Sequence, residues 1–541
     1  MRSTLLLTVI LAGLATSATS AVVTVDGAGG GDYLTIQEGL DAAADTDTVL
    51  VAAGTYSGPG NRDLDFGAKN IVLRSISGLT STTIDCELVG RGIYLHGGQD
   101  TTCVIEGFTF ANGYAWTCNE AWGGAVLLDN ASPFIRLCTF TNCSAAQGGG
   151  VYSRDSSPVF LKCRFTECDA DIAGGLMCEN SSPRVTYCTF SDNIAMTGGF
   201  GGGMCCYNYG HAILQSCTFT GNTAGQGGGF RIQMNSAAEL TDCHFSGNTA
   251  TYAGGGVHCT ETSSSVFTQC SFAGNHADTQ GGGVGAHNCG PQLTECTFFG
   301  NSSILGGAVN LIGSDAEIVD CEFLSGISPG ACGGVYVHYG SDVTITGCEF
   351  SENTYGGLYI NDSYALVEDC VFVRNSNTDG AGIECSASSP TITGCTFYAN
   401  SCSTGGSAVY CGGSSSPMLS NCVMAFSQAG YPVRCHSEFD LPVLSCCNMF
   451  GNEGGDWTGP SWNTWVADQA DTNGNMSTDP LFCDQENDDL TLCEESPCLA
   501  QWNSCVAQIG AFGQGCGLCE WTGADDPSRN VSWGAIKSMF R

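Results

Sequence analysis

Between residues 123 and 455 the apolar positions recur at coil-length intervals, not at helical ones. The clearest mark is Cys-x-Phe, at Cys138, Cys163, Cys188, Cys217, Cys243, Cys270, Cys296, Cys321, Cys348, Cys370 and Cys395, with Met424 and Met449 replacing Phe after Cys422 and Cys447. The steps run from 22 to 29 residues, most of them 25 to 27. Residues two apart on a strand face the same way, so Cys and Phe point together into an interior. Another apolar residue stands three before the cysteine, as in Ile135, Phe160, Val185, Leu214, Leu240 and Ile318. Inward residues three apart cannot share one flat strand, so a bend is predicted between them. A paired glycine about 14 residues before the cysteine (Gly124, Gly203, Gly229, Gly256, Gly307, Gly334) leads into a third inward pair, such as Val151/Ser153 or Val257/Cys259. Asparagine stands five after the cysteine at Asn193, Asn222, Asn248, Asn275, Asn301, Asn353, Asn375, Asn400 and Asn452. There it is expected to adopt left-handed backbone and to hydrogen-bond its stacked copies. Each unit therefore reads as one coil of a parallel β-solenoid.

Phe190-Ser191-Asp192-Asn193 and Phe219-Thr220-Gly221-Asn222, with Gly306-Gly307-Ala308-Val309, resemble the FxxN and GGA[ILV] repeats of polymorphic outer-membrane proteins. More broadly, residues 24–515 resemble the right-handed parallel β-helix proteins of the pectate-lyase-like superfamily. Asp32–Gln37 and Asp47–Tyr56 are similar to that group's capping helix and first coils, and Asp479–Phe482 with Ser496–Cys498 to its closing coil. The resemblance implies an all-β, right-handed, single-stranded parallel β-helix with coils of about 25–26 residues and a short N-terminal capping helix. Such scaffolds carry lyases, hydrolases, adhesins and tailspikes, so the fold alone does not fix an activity.

Five segments follow. Residues 1–21 read as a secretory signal: Arg2, an apolar core from Leu5 to Leu14, then small residues to Ala21. Residues 22–122 make the N-terminal cap, with a helix about Ile36–Ala44, and the first irregular coils. Residues 123–455 are the regular coils, and 456–519 are cysteine-rich closing coils. The tail 520–541 holds Arg529, Lys537 and Arg541 and is a candidate docking or surface-sorting segment. No later apolar run is long enough for a membrane helix. The expected location is extracellular or at the cell surface, where disulfides persist.

Composition narrows the function. Of 541 residues only 16 are Lys or Arg against 53 Asp or Glu, a formal net charge of −37. With three lysines (Lys69, Lys162, Lys537), a nucleic-acid surface is excluded, since phosphate binding needs clustered cations. The same deficit counts against a polyanionic substrate unless a metal mediates. From Ile232 to Val373 there is no Lys or Arg at all.

The 35 cysteines include one thiol per coil in an inward column, which reads as packing. Cys143 and Cys168 occupy the turn position that asparagine holds in later coils and are expected to form a disulfide, as are stacked cysteines at Cys178/Cys206 and Cys385/Cys411/Cys435. Tyr336, Tyr359 and Tyr410, with Glu384 between the last two, form one outward column suited to sugar rings. Trp457, Trp462 and Trp465 offer a second apolar surface, and Asp471–Asn475 resembles half a calcium loop but lacks its closing glutamate. On the Cys-x-Phe strands Glu322 and Glu349 stack outward. With Asp320 beside them and His244 at the edge, they make a candidate weak calcium site or acid/base pair. None of the eight histidines belongs to an HExxH or Ser/His/Asp grouping.

The first functional reading is a non-enzymatic, exported, surface-associated β-helix that binds or displays, with carbohydrate as ligand. The second is a polysaccharide lyase or glycoside hydrolase of the same fold. The third is a purely structural envelope or coat component.

Overall fold

The computed structural model describes residues 20–519 apart from 197, 262 and 460–463. Residues 1–19 of the expected export signal 1–21, the tail 520–541 and Trp462 lie outside the described residues. One coil shows the construction. Strands Phe134–Arg136, Thr139–Thr141, Ser144–Gln147 and Val151–Arg154 follow one another around it. Each pairs in parallel with its counterpart one coil on: Phe134 with Val159, Thr139 with Arg164, Ser144 with Asp169, Val151 with Leu176. Repetition builds three parallel sheets of 17, 16 and 16 strands. They are the leading sheet, the Cys-x-Phe sheet and the glycine-proximal sheet of a right-handed β-solenoid. A fourth sheet of only six strands, here the short sheet, lies between Ser144 and Ala277.

The expected capping helix forms at Ile36–Ala42. Thr35 and Glu38 close a capping box at its start, and Ile36 and Leu40 bury against the first coil.

Inside, twelve phenylalanines from Phe110 to Phe397 stack in one column, with successive ring centroids 4.5 to 5.4 Å apart. That spacing is the strand separation itself, so the sheet sets the stack. Beside it runs the column of buried cysteines. Their sulfurs donate to carbonyls, Cys321 Sγ to Leu293 O at 3.5 Å, and accept backbone N–H groups, Cys296 N to Cys321 Sγ at 3.4 Å.

The corners follow one rule. The residue before each corner side chain has left-handed backbone: Asp242 (φ 53°) before Cys243, Asp192 (φ 56°) before Asn193, Asn180 (φ 49°) before Ser181. The next side chain then both accepts and donates. Asn248 Oδ1 accepts from Asn222 N at 3.1 Å and Asn222 Nδ2 at 2.9 Å, while Asn248 Nδ2 donates to Phe219 O at 2.9 Å. Ser341 Oγ accepts from Ser314 N at 3.0 Å and donates to His338 O at 2.9 Å. The left-handed position expected at asparagine thus lies one residue earlier, and the bend expected before the cysteine is present. Glycine fills the tightest corner because a Cβ at Gly255 would stand 2.4 Å from His276 O and 2.5 Å from Gly282 O.

The expected disulfides within the coils do not form in this structure. Cys178 and Cys206 stack in register, as do Cys385, Cys411 and Cys435, yet all of these, with Cys143 and Cys168, are buried free thiols. At the asparagine corner Cys143 Sγ accepts from Gly113 N at 3.3 Å, and Cys168 Sγ donates to Phe140 O at 3.5 Å. These thiols perform the asparagine's hydrogen bonding, and a bridge would remove the donor.

Three disulfides lie at the C-terminal end: Cys446–Cys505, Cys483–Cys516 and Cys493–Cys519. This segment also folds back along the outside of the solenoid. Phe482, Leu490, Leu492 and Ile509 pack on Val371, Val373, Tyr398 and Val423 of the last Cys-x-Phe strands. Gly510 N donates to Asn421 O at 2.7 Å, and Arg374 pairs with Asp488 at 2.5 Å.

Asn248→Ala should lower the free energy of unfolding by roughly 2–4 kcal/mol, because it leaves a buried carbonyl and N–H without partners. Asn248→Cys should recover most of that loss, since the fold itself uses Cys143 and Cys168 at this corner. Urea unfolding of the two variants side by side decides; equal losses would remove the corner rule.

Candidate functional site

On the glycine-proximal sheet between residues 122 and 288 the outward positions mix large apolar, aromatic and charged side chains. Met177, Cys205, Arg231 and His258 stand in one register column. Arg154, Glu179 and Tyr207 form the next, and Thr260 pairs with His287 further along it. The short sheet turns the chain outward beside them, and its last column carries Trp122, Gln147, Ile172, Phe200 and Gln226. The two sheets enclose a groove of about 840 Å³ that runs across seven coils, roughly 29 Å of axis at ~4.8 Å per coil step.

At one end Trp122 stacks on Tyr152 with ring centroids 5.0 Å apart, and Arg154 lies over Trp122 at 4.8 Å. Asp129 holds Arg154 at 2.7 Å, with Glu120 at 3.8 Å. The Tyr152 hydroxyl donates to Glu179; burial first, and then that carboxylate, push the phenol's pKa far upward. Further along, Arg231 lies over Phe200 at 5.3 Å. It donates to Gln233 Oε1 at 3.1 and 2.9 Å, to Thr260 Oγ1 at 2.9 Å and to His258 Nδ1. None of these is a carboxylate. Arg231 is 4% exposed, and burial lowers its pKa. Burial, reinforced by the Arg231 charge, holds His258 well below the usual histidine range, so it presents a neutral ring.

None of these residues stood out in the sequence. The segment without Lys or Arg begins immediately after Arg231, which places a guanidinium on the groove floor. The available signal was the run Leu127, Tyr152, Met177, Cys205 at outward positions, too apolar for open solvent.

The predicted tyrosine column exists: Tyr336, Tyr359, Glu384 and Tyr410 follow in register. Tyr336 and Tyr359 stack at 4.8 Å, and Tyr336 stacks on His338 at 4.1 Å. With Tyr336 only 7% exposed, the upper part of this column is packed instead of open. Burial first, then the Asp379 charge, raise Glu384 to about 7, against a 3.2 Å hydrogen bond from Asn377. Tyr410 bonds His436 at 2.8 Å.

Glu322 and Glu349 are register partners, as expected. His244 shares their column but stands three coils away, separated by Ser271 and Thr297, about 14 Å at ~4.8 Å per coil. It bonds Ser271 at 2.7 Å. Asp320 sits on the left-handed corner. Glu349 lines a 190 Å³ cavity with Arg374, the first cation after the stretch without Lys or Arg, and with Asp488, which the returning C-terminal segment brings there. Trp457 covers the end of the core and donates to Met476 O at 3.1 Å, and Trp465 donates to Pro442 O at 2.8 Å. In the Asp471–Asn475 loop, Asn475 Oδ1 accepts from Cys447 N at 3.0 Å, extending the cysteine corner by one coil.

The family model for the right-handed β-helix region matches residues 71–226, 174–326 and 333–454. No curated protein matches this chain. Among solved structures, an ORF18 protein of Geobacillus virus E2 aligns at 15% identity over 60% of this chain and 57% of its own, with a TM-score of 0.31. Tailspike protein 3 of bacteriophage CBA120 aligns at 13% over 76% and 56%, TM-score 0.29. PfbA, a surface adhesin of Streptococcus pneumoniae, aligns at 12% over 66% and 84%, TM-score 0.29. The chain thus spans a little over half the length of the first two. These matches do not extend to the repeats of polymorphic outer-membrane proteins.

His258 and His338 both stay neutral when folded, His338 with its pKa lowered to about 4 by burial, whereas unfolded histidine titrates near ~6.5. Their contribution to stability is complete above ~6.5 and is lost as pH falls toward 4, because the unfolded chain takes up the protons. Glu384 acts in the opposite sense below about 7. The histidine part is therefore read as a difference: the gap in melting temperature between wild type and His258→Gln/His338→Asn should narrow as pH falls from 7 to 5. A constant gap would refute it.

Proposed function

We propose that this chain, which belongs to the right-handed β-helix family, is an exported, surface-associated protein that binds or displays, with carbohydrate as its ligand. The groove between the glycine-proximal and short sheets carries this reading. It is long enough for several sugar rings, and Trp122, Phe200, Tyr207 and Tyr252 offer aromatic surface to the apolar faces of such rings. Gln147, Gln226 and Glu179 stand among them as partners for hydroxyl groups. The signal-like N-terminus and the three disulfides fit an extracellular setting, and among the described residues no helix is long and apolar enough to cross a membrane.

A second reading, a polysaccharide lyase or glycoside hydrolase, rests on the same groove. It holds carboxylates at Glu179 and Glu261 along with Arg231 and the neutral His258, the group types that acid/base chemistry uses. The outward Glu322–Glu349 pair remains a weaker candidate for calcium or for that chemistry.

A glycan array probed with the mature protein tests the first reading. Binding is expected, and Trp122→Ala and Phe200→Ala should each weaken it by about tenfold or more, about 1.4 kcal/mol, while Glu322→Gln/Glu349→Gln leaves it unchanged. Silence across the array would leave the structural coat reading. Release of new reducing or unsaturated ends from a bound glycan, abolished by Glu179→Gln, would favour the enzyme.

A further inference from the structure

The closing segment gathers three cysteine sulfurs at one point, with a fourth cysteine bonded to one of them, by two independent devices. An antiparallel hairpin, Phe482–Asp484 with Asp489–Leu492, carries Cys483 on one strand and Cys493 just past the other. A tight Cys516-Gly517-Leu518-Cys519 turn supplies the other two. Besides the two disulfides, backbone bonds hold the turn against the hairpin: Leu492 N to Gly513 O at 2.9 Å, Gly515 N to Leu492 O at 3.0 Å and Glu494 N to Gly517 O at 3.1 Å. The sulfurs of Cys483, Cys493 and Cys516 all lie within 4.8 Å of one another, and Cys493 Sγ is 3.6 Å from Cys516 Sγ. Cys519 bonds Cys493 directly. In a tetrahedral four-thiolate site with ~2.3 Å metal–sulfur bonds, the sulfurs stand roughly 3.8 Å apart.

We infer that in the reduced chain Cys483, Cys493, Cys516 and Cys519 form a four-thiolate site for a zinc-like divalent cation, and that in the oxidised chain the same four close as two disulfides. The hairpin and turn each contribute two ligands, the arrangement that a closed structural zinc site requires. The backbone bonds across them do not depend on the sulfurs, so reduction leaves the cluster assembled. Reduction by a dithiol breaks both S–S bonds, yields four thiols and converts two equivalents of the dithiol to its disulfide. Metal binding then releases the four thiol protons. The closing segment is thereby fastened over Val371, Val423 and their neighbours in either redox state.

Cobalt(II) is the probe, added to the full chain after reduction and removal of the reductant without air. One ion per chain, with the intense visible ligand-field bands of tetrahedral four-sulfur cobalt and their displacement by zinc, is the expected result. Cys516→Ser/Cys519→Ser should abolish the bands, while Cys446→Ser/Cys505→Ser, outside the cluster, keeps them. Far-ultraviolet circular dichroism of each variant confirms that the solenoid is intact. Absence of the bands in the reduced wild type overturns the inference. So does their survival in the Cys516→Ser/Cys519→Ser variant, which would assign them to interior thiols, or equal binding by the oxidised protein.

Discussion

A solenoid has to turn its backbone at several corners in every coil without abandoning a buried N–H or carbonyl, and the rest of this molecule depends on how that is done. Strands satisfy their own backbone through the coils above and below, but the corners leave donors and acceptors facing inward. Here a left-handed residue turns the chain, and the next side chain takes one N–H from the preceding coil and returns a hydrogen to a carbonyl. Asn248, Cys321 and Ser341 do this at three different corners. The chemistry demanded is a small side chain that both donates and accepts, which amide, thiol and hydroxyl all provide.

That requirement accounts for the uneven use of cysteine. Inside the coils cysteine is a corner group and a small apolar filler, kept as a thiol by the hydrogen bonds it makes. At the C-terminal end the periodic interior has run out, and short irregular segments cannot bury enough apolar surface to hold themselves in place. There the cysteines crosslink instead, and Cys446, Cys483 and Cys493 tie the returning segment to the coils and to itself.

With the interior so constrained, variation is free to accumulate outside. Between residues 144 and 277 the stretch after the asparagine corner pairs as the short sheet, and its edge converts a flat outer face into a walled groove. Along that groove Arg154 is paired with Asp129, whereas Arg231 has only neutral hydrogen-bond partners, in a protein with a large acidic excess. The coils thus supply a rigid frame, and small differences in their outward residues distinguish one stretch of it from another.

The sequence alone determined the coil, its inward columns, the capping helix and the register that stacks Tyr336 on Tyr359 and Glu322 on Glu349. The coil, the columns and the register follow from residues about one coil apart, because alternation and coil length are local properties, and the capping helix from its resemblance to the cap of the pectate-lyase-like group. It did not reveal that the left-handed residue precedes the asparagine, because the asparagine's role is to bond across coils and only the stacked structure shows which residue turns. Nor did it reveal the bonding state of Cys143 and Cys168, which their hydrogen bonds to Gly113 and Phe140 decide. The groove was hidden for a different reason: Trp122, Phe200, Arg231 and His258 lie on separate coils and two sheets, and the angle between those sheets appears in no spacing. Nothing in the sequence pointed to a cover over Val371 and Val423, and only the fold shows that residues 482–511 come back to provide it, bringing Asp488 to Arg374 across 114 residues of chain.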